Sequence, residues 1–423
     1  MAETPPRQPV SRRVTIAVAA AGICSFALLY APQPLLPGLA EAFALGPASA
    51  SLVVSVATGA LAVAVVPIGV LSEFVGRRRV ILASTLCSAL LGLALPLAGS
   101  YEVLLVLRAL QGVAIAGFPG VAAAYLVELL GGAGVSAAVG AMIAGNTVGG
   151  MLGRLAGGVT SGVFGWRGAL ALVAALSLLC ALLTAVTLPR GGHGGERLGS
   201  GSPRQLRARA RGVFAGMASA LHRPLLLAQY AVALLAMGSF VALYNAAGFR
   251  LTSEPLSLTP ALASLVFLAY AMGAVSSATV GRVVARFGRR RCLLIALLVT
   301  ALGAAFTVAD SLPLVVAGFV VLTGGFFAAH AVANGWAAAE APERARGPAA
   351  SLYTLAYYLG SSLGGTAGTA VYGEAGWAWL VAGVALWLGS AALAVQLACR
   401  GRPDGVPVTN PRRQRPADRC QAE

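Results

Sequence analysis

Residues 69–82 read Gly-Val-Leu-Ser-Glu-Phe-Val-Gly-Arg-Arg-Arg-Val-Ile-Leu, a short basic turn between two apolar runs that are each long enough to cross a bilayer. The turn occurs again at residues 281–294, as Gly-Arg-Val-Val-Ala-Arg-Phe-Gly-Arg-Arg-Arg-Cys-Leu-Leu. The shared positions keep one constant offset along the chain: Gly69, Gly76 and Arg77 in the first copy, Gly281, Gly288 and Arg289 in the second. Two apolar runs joined by a glycine-bounded basic turn, present twice, indicate a duplicated membrane protein.

The composition also indicates a membrane protein. Of the 423 residues, 58% are hydrophobic and 10% are charged, and the mean hydropathy is +0.82. Soluble domains are about 45–50% apolar and about 25% charged, so a soluble protein is excluded. Because a hydrocarbon core needs roughly 20 apolar residues per helix, the sequence predicts twelve spans, numbered 1 to 12 here. They begin near Val14, Ser51, Val80, Val103, Val135, Gly168, Pro224, Pro260, Cys292, Pro313, Ala349 and Trp377.

These spans predict an all-α membrane protein with two pseudo-symmetric six-helix bundles. We expect a tail at 1–13, bundles at 14–189 and 224–399, a linker at 190–223 and a second tail at 400–423. In the linker, a candidate amphipathic helix from Pro203 carries Arg204, Arg207 and Arg211 at helical spacing. Their side chains either rest on anionic lipid headgroups or belong to a solvated loop.

The arginines predict the orientation of the chain. All 30 basic residues are Arg, and 26 of them lie in the two tails and in the loops on the same side as the tails. An excess of positive charge marks the cytoplasmic face, so both termini are expected in the cytoplasm of a bacterium whose inner or plasma membrane holds the chain. The net charge of +16 then reports topology, and nucleic-acid binding is not expected.

The basic turn resembles the loop between the second and third helices of the major facilitator superfamily, which has the form G-x-L-a-D-r-x-G-r-k. Glu73 stands for the acid, Phe74 replaces the first basic residue, and Ala285 replaces the acid in the second copy. The resemblance implies a twelve-helix secondary transporter in which this turn is a conformational switch. It also implies that Glu128 and Glu340 form gate ion pairs with Arg77 and Arg289.

Span 4 carries Arg108, and Gln111 shares its helix face three residues later. A guanidinium in a span must meet polar partners or water. This R-x-x-Q-G run resembles the fourth-helix motif of the same family, which implies a role in proton coupling or in the central cavity. The alternative is an arginine bonded to the carbonyls of a broken helix.

Span 5 has a glycine face that recurs in span 11, at a slightly larger offset than the one that relates the two basic turns. The matched positions are Gly145, Gly149 and Gly153, then Gly360, Gly364 and Gly368. Glycines at this spacing allow close helix packing, and we expect the two faces at the interface of the halves. The first run resembles the family's antiporter motif with Asn146 in place of its proline. It is similar to the G-N-x-x-G-G-x-x-G-R run of arabinose-efflux-like and drug-exporter-like bacterial permeases.

Other polar residues are candidates for the substrate cavity. Tyr30 and Gln33 lie where Pro32, Pro34 and Pro37 break the end of span 1, so they either line a cavity mouth or belong to a frayed helix end. Tyr244 and Asn245 correspond roughly to Tyr30 and Ala31 in the second half. In span 10, His330 and Asn334 share one face. His330 either titrates near neutral pH or packs against a carbonyl.

The sequence gives no support for an enzyme. It contains no G-x-S-x-G run and no Walker loop, and its three histidines lie in separate regions. We expect no cofactor and no metal site. The six cysteines lie in spans or in a cytoplasmic tail, so a disulfide framework is not expected.

The charges at membrane depth suggest what is carried. Arg108 and Arg154 lie inside spans, whereas the acidic residues lie in loops or at span ends. An electropositive interior favours an anionic or neutral amphipathic substrate, because a carboxylate can form bidentate bonds with arginine. We expect a monomer that exports such a small molecule in exchange for protons. Two alternatives are proton-coupled uptake and a transporter-shaped sensor or scaffold that binds its ligand without moving it.

Overall fold

The computed structural model describes residues 12–130, 134–189 and 203–400. These residues are almost entirely helical and contain no strand. The predicted all-α membrane fold is confirmed. Residues 1–11 of the predicted N-terminal tail, 190–202 of the predicted linker and the C-terminal tail from residue 401 lie outside the described residues.

The first half contains spans 1 to 6. Their bounds are Arg12–Ala42, Pro47–Val75 and Arg77–Leu97 for spans 1 to 3, Tyr101–Ala116 and Ala122–Leu130 for span 4, and Val135–Thr187 for spans 5 and 6 together. Span 4 is broken near Pro119, where the ring prevents a regular helix. Gly165 divides spans 5 and 6, because its φ of 61° is not helical. The expected start of span 6 at Gly168 lies just beyond this break.

The second half repeats the arrangement after a linker helix at Pro203–Leu221. Spans 7 to 12 are Pro224–Thr252, Pro260–Phe287, Arg289–Phe306, Leu312–Glu340, Arg346–Ala375 and Trp377–Ala398. Eight helical segments of the described chain are long and apolar enough to cross a membrane, and Val135–Thr187 among them supplies two spans. The other three spans are less apolar or interrupted: span 4 is broken, span 9 opens with three arginines, and span 11 is rich in Gly, Ser and Tyr.

The glycines of the two basic turns are required by the backbone. Gly76 has a φ of 97° and Gly288 a φ of 83°, a region that residues with a Cβ rarely adopt. Each glycine ends one span, and an arginine begins the next. Gly165 and Gly376 have positive φ at the matching turns between spans 5 and 6 and spans 11 and 12. The duplication therefore extends to the backbone conformation of the turns.

The glycine faces of spans 5 and 11 pack inside each half. A Cβ on Gly149 would overlap the backbone of Ile23 in span 1, and one on Gly364 would overlap Gly238 in span 7. Spans 5 and 11 do make contacts at the interface of the halves, through Arg154 to Tyr270 and through Ser362 to Ser55, but their glycine faces point away from it. The physical reason is that each face finds a closer neighbour in its own bundle, where the helix backbones come into contact.

These packing pairs also fix the register between the halves. The glycines of span 5 and the residues they touch in span 1 are related to those of spans 11 and 7 by one common offset. Gly145, Gly149 and Gly153 touch Ala19, Ile23 and Ala27, and Gly360, Gly364 and Gly368 touch Leu234, Gly238 and Ala242. In this register Asn245 corresponds to Tyr30. The rough match of Tyr244 to Tyr30 is therefore one position short of this register.

The two halves are bonded together at one end of the molecule. We call the face that holds Arg12 and Ala398 the terminal face and the opposite face the distal face. Near the distal face, Ser362 Oγ donates to Ser55 O over 2.7 Å, and Thr369 Oγ1 donates to Ser51 Oγ over 2.8 Å. Both bonds join span 11 of the second half to span 2 of the first. The halves are closed against each other at the distal face.

The contact loosens towards the terminal face. In span 2 nearly all the buried residues lie between Ala50 and Val65, in its distal part. In span 8 no residue from Ala274 to Phe287 is buried. Only one face of this part of span 8 is half-buried, at Ser276, Val280 and Val284. We infer that the space between the halves widens at the terminal face.

The span 1 to span 5 contact gives a test of the packing. We expect Gly149→Ala to lower the stability of the protein by about 1–3 kcal/mol, because its methyl group would be forced into the backbone of Ile23. Gly140→Ala is the matched control on the same helix, since nothing lies within 4 Å of its Cβ position. The midpoint of thermal unfolding in detergent measures both. Equal midpoints for the two variants would contradict the close approach of spans 1 and 5.

Candidate functional site

Arg154 is buried in the plane where the two halves meet. Its side chain is 2% exposed. Nε donates to Gln33 Oε1, and Nη1 donates to Gly150 O over 2.7 Å. The guanidinium lies 4.1 Å from the ring centre of Tyr30 in span 1 and 4.5 Å from that of Tyr270 in span 8. Aromatic faces from both halves therefore enclose one positive charge.

Gln33 connects this arginine to the second half. Its Nε2 donates to Asn245 Oδ1 over 2.7 Å, and both side chains are at most 1% exposed. Nδ2 of Asn245 has no hydrogen-bond partner among the described residues. Arg154, Gln33 and Asn245 thus form one chain of side-chain hydrogen bonds that crosses the interface between the halves.

A cluster of aromatic rings extends from the arginine into the second half. Tyr270 contacts Phe240 with ring centres 5.5 Å apart, and Phe240 stacks on Phe326 at 4.0 Å. Phe327 lies 5.8 Å from Tyr270 and is half-buried. The arginine therefore stands at the edge of a broad apolar surface.

His330 lies at the far side of this cluster. Its ring centre is 4.7 Å from that of Tyr357, and its Nδ1 lies 3.0 Å from the hydroxyl of Tyr353. Asn334, one turn later, is exposed. Tyr244 lies deeper than either residue, where its hydroxyl is 2.7 Å from Thr323 Oγ1.

Arg108 is fully buried and bonded inside the first half. Its Nε donates to Val53 O over 2.7 Å, its Nη2 to Leu29 O over 2.7 Å, and its Nη1 to Leu28 O over 3.1 Å and to Gln111 Oε1. These bonds occupy four of its five donors. The side chain thereby ties spans 1, 2 and 4 together, which is the arrangement of the carbonyl-bonded alternative.

Asn146 lies on the face of span 5 that packs against span 1. A Cβ on Gly22 would overlap its side chain, and its buried Oδ1 has no partner among the described residues. Asn146 is in the same helix as Arg154 but two turns away. The structure therefore does not bring it into the chain of hydrogen bonds.

The basic turns lie at the terminal face. Arg77 Nη1 is 3.0 Å from Glu128 Oε1, and the two side chains are 20% and 45% exposed. Glu73 is half-buried one turn before Gly76. In the second half, Glu340 accepts a hydrogen bond from Arg223 through its backbone carbonyl at 3.3 Å. The described contacts thus show a carboxylate–arginine pair in the first copy of the turn.

A cavity of about 420 Å³ lies near the distal face and is lined by both halves. Pro37 and Trp166 line it from the first half, and Gly248 and Phe267 line it from the second. The ring centre of Phe267 is also 5.5 Å from the guanidinium of Arg154. Phe267 therefore contacts both the cavity and the arginine.

Tyr270 and Phe267 were not predicted as site residues. They belong to an apolar stretch of span 8 with no polar motif. The signal available was a pair of aromatic residues three positions apart in this span, which is the symmetry mate of span 2. Metal binding finds no support either, since no group of three or more His, Cys, Asp or Glu in the described part of the chain could hold an ion.

Comparison with known proteins shows the same architecture over nearly the whole chain. A family model described as Major Facilitator Superfamily matches residues 18–253 and 244–421. The inner membrane transport protein YnfM of Escherichia coli is 38% identical over 386 residues, which are 90% of this chain and 89% of that protein. The uncharacterized MFS-type transporter YybF of Bacillus subtilis is 36% identical over 388 residues, 90% of this chain and 93% of that protein.

Solved structures agree on the fold. A bacterial homologue of the human lysosomal transporter Spinster, in an inward-facing and unoccupied conformation, has a TM-score of 0.77 at 18% identity, covering 93% of this chain and 98% of that one. The nucleoside transporter NupG has a TM-score of 0.69 at 15% identity, covering 91% and 99%. At these identities the likeness supports the fold alone.

The contacts of Arg108 predict a structural phenotype. We expect Arg108→Gln to reduce stability by an amount on the order of 3 kcal/mol, because buried carbonyls on spans 1 and 2 lose their donors. Arg167→Gln is the control: this guanidinium also bonds two carbonyls, of Pro96 and Ala98, but it is exposed. Thermal unfolding in detergent measures the loss. A normal unfolding midpoint for Arg108→Gln would show that the three spans do not depend on these bonds.

Proposed function

This chain belongs to the major facilitator superfamily of membrane transporters, and we propose that it exports a small anionic amphipathic molecule in exchange for protons. Transport proceeds by alternating access, in which the two six-helix halves rock about the central site. The anion binds Arg154, and its apolar part lies against the aromatic cluster of the second half.

The observation that carries this proposal is that Arg154 is buried with only part of its hydrogen-bonding capacity used. Its two hydrogen bonds leave three of its five donors without an acceptor among the described residues. The acidic residues of the described chain lie at span ends or in turns. A buried charge without a counter-ion is costly, so the site is stabilised by an anion that arrives with the substrate.

The surroundings of the arginine favour an amphipathic anion over a small hydrated one. Tyr30 and Tyr270 cover the guanidinium with apolar faces, and Phe327 continues the surface from Tyr270. A carboxylate or sulfonate would form charge-assisted hydrogen bonds with the free donors. A ring attached to it would then bury its area against these aromatic residues.

The charge distribution and the conformation support export. We assign the terminal face to the cytoplasm, because most arginines lie there. The space between the halves widens at that face and is closed at the distal face, so this conformation loads substrate from the cytoplasm. The distal cavity beside Phe267 would receive the substrate once the halves rock. His330, next to the aromatic cluster, is an imidazole in a span that can carry the exchanged proton.

A matched set of probes tests the substrate class. We expect everted vesicles with an imposed pH gradient to accumulate benzenesulfonate in preference to neutral benzenesulfonamide and cationic benzyltrimethylammonium. Arg154→Gln should lower transport of the anion roughly 10- to 100-fold, the factor that charge-assisted hydrogen bonds provide, and should leave the sulfonamide nearly unchanged. Arg167→Gln is the control, with a guanidinium at the distal face. Preferred transport of the cation, or an anion rate unaffected by Arg154→Gln, would contradict the proposal.

Labelling of single cysteines tests the orientation. In a variant without its native cysteines, we expect Glu254→Cys to react with a membrane-impermeant maleimide in intact cells, because the arginine distribution places residue 254 outside. Gly212→Cys, in the linker helix, should react only in everted vesicles. A reversed pattern would place the termini outside.

A further inference from the structure

The hydrogen-bond chain through Gln33 has a direction that Arg154 imposes. A guanidinium donates only, so the amide of Gln33 must present its oxygen to Arg154. Its nitrogen then faces the second half and donates to the oxygen of Asn245. Each member of the chain is oriented by the one before it.

This direction leaves a polar group unpaired at the far end. Nδ2 of Asn245 is buried without a partner among the described residues, and so is Oγ of Ser55 from the first half. A Cβ on Gly365 would lie 2.8 Å from the former and 3.2 Å from the latter. The two unpaired groups therefore lie close to each other across the interface. Because buried unpaired groups are unfavourable, the contact between the halves is weak at this point.

Gln33 lies where the backbone can move. The α-helix of span 1 ends at Tyr30, and a short 3-10 turn at Gln33–Leu35 precedes the next helical segment. Pro32 and Pro34 flank the residue and remove backbone donors. A movement of the Gln33 side chain therefore does not have to distort a continuous helix.

We propose that Gln33 couples binding of the substrate anion to opening of the distal face. The anion binds Arg154 side-on, with one oxygen on Nη2 and one on Nε, and it therefore replaces Gln33 Oε1 on Nε. The released amide is no longer oriented towards Asn245, and the bond between the halves is lost. This inference rests on the proposed function, because it takes an anion as the ligand of Arg154.

The hydrogen bonds of Ser362 and Thr369 between the halves are not oriented by Arg154. Thr369 and Ser362 bond to span 2 through hydroxyl groups, and their bonds involve Ser51 and Ser55, with no contact to the arginine. They hold the distal face closed whether or not the site is occupied. Substrate binding reaches the interface through Gln33, so the loss of Gln33 and the loss of Thr369 should have different consequences.

The test measures the distal opening with spin labels on cysteines at positions 41 and 253, which are exposed on opposite halves. In the parent protein, saturating benzenesulfonate should shift the distance distribution to longer values. Gln33→Leu removes both hydrogen bonds and should raise the open-to-closed ratio of the empty protein about tenfold. It should also abolish the response to benzenesulfonate while the probe still binds. Thr369→Val should open the empty protein to a similar degree and keep the response.

A second variant covers the case in which Gln33→Leu does not fold. In Gln33→Glu a carboxylate occupies Arg154 permanently and cannot donate to Asn245. We expect an open distal face without probe and at least about tenfold weaker binding of benzenesulfonate.

The outcomes separate the two proposals. A parent protein that does not bind benzenesulfonate, or an Arg154→Gln variant that binds it as well as the parent, contradicts the proposed function. The coupling through Gln33 is overturned if the folded Gln33 variants, without probe, keep the parental distance distribution. It is also overturned if benzenesulfonate shifts the distances in Gln33→Leu as it does in the parent protein.

Discussion

A guanidinium buried between the two halves is the constraint on which this structure depends. Arg154 cannot remain in a membrane interior without compensation, and the chain compensates it with an amide, a carbonyl and two aromatic faces. Three of these contacts depend on the local structure around the arginine. Gln33 reaches it from the broken end of span 1, and Tyr270 reaches it because span 8 approaches span 5. Gly150 offers its carbonyl from one turn earlier in span 5. The closed distal face is built around this charge.

The two buried arginines illustrate how the same side chain serves different ends. Arg108 finds acceptors for four of its donors within one half, on spans 1, 2 and 4, so it moves with that half as a rigid part. Arg154 has fewer hydrogen-bond acceptors, and the aromatic rings that cover it, Tyr30 and Tyr270, come from both halves. A charge whose surroundings are divided between two moving bodies changes its solvation when they separate, whereas a charge solvated by one body does not. This difference is why we propose Arg154, and not Arg108, as the residue that binds the substrate.

The sequence predicts the parts of this protein that depend on local chemistry. Spans follow from hydropathy, and the basic turns follow from Gly76 and Gly288, whose positive φ only glycine tolerates easily. Features that depend on which helix packs against which could not be predicted in the same way. The glycine faces of spans 5 and 11 were correctly seen as close contacts, but sequence spacing does not say that span 1 and span 7 are their partners.

The residues of the hydrogen-bond chain could be predicted one by one, but their contacts could not. Tyr30, Gln33, Arg154 and Asn245 were all candidates from the sequence. Their connection in one chain requires the fold, because the offset that relates the two halves is larger in these helices than at the basic turns. A register taken from the turns therefore pairs the wrong residues at the site.

The duplicated framework places one charge in a symmetric position. In the register fixed by helix packing, Arg154 corresponds to Thr369, since each directly follows one of the matched glycines, Gly153 and Gly368. Both residues take part in contact between the halves, the threonine through a direct bond to Ser51 and the arginine through Gln33 to Asn245. A hydroxyl contact has no dependence on a charged ligand, but a contact oriented by a guanidinium does. Symmetry-related positions thus take part in two different contacts between the halves, and in our proposal only the one oriented by the guanidinium responds to an anion.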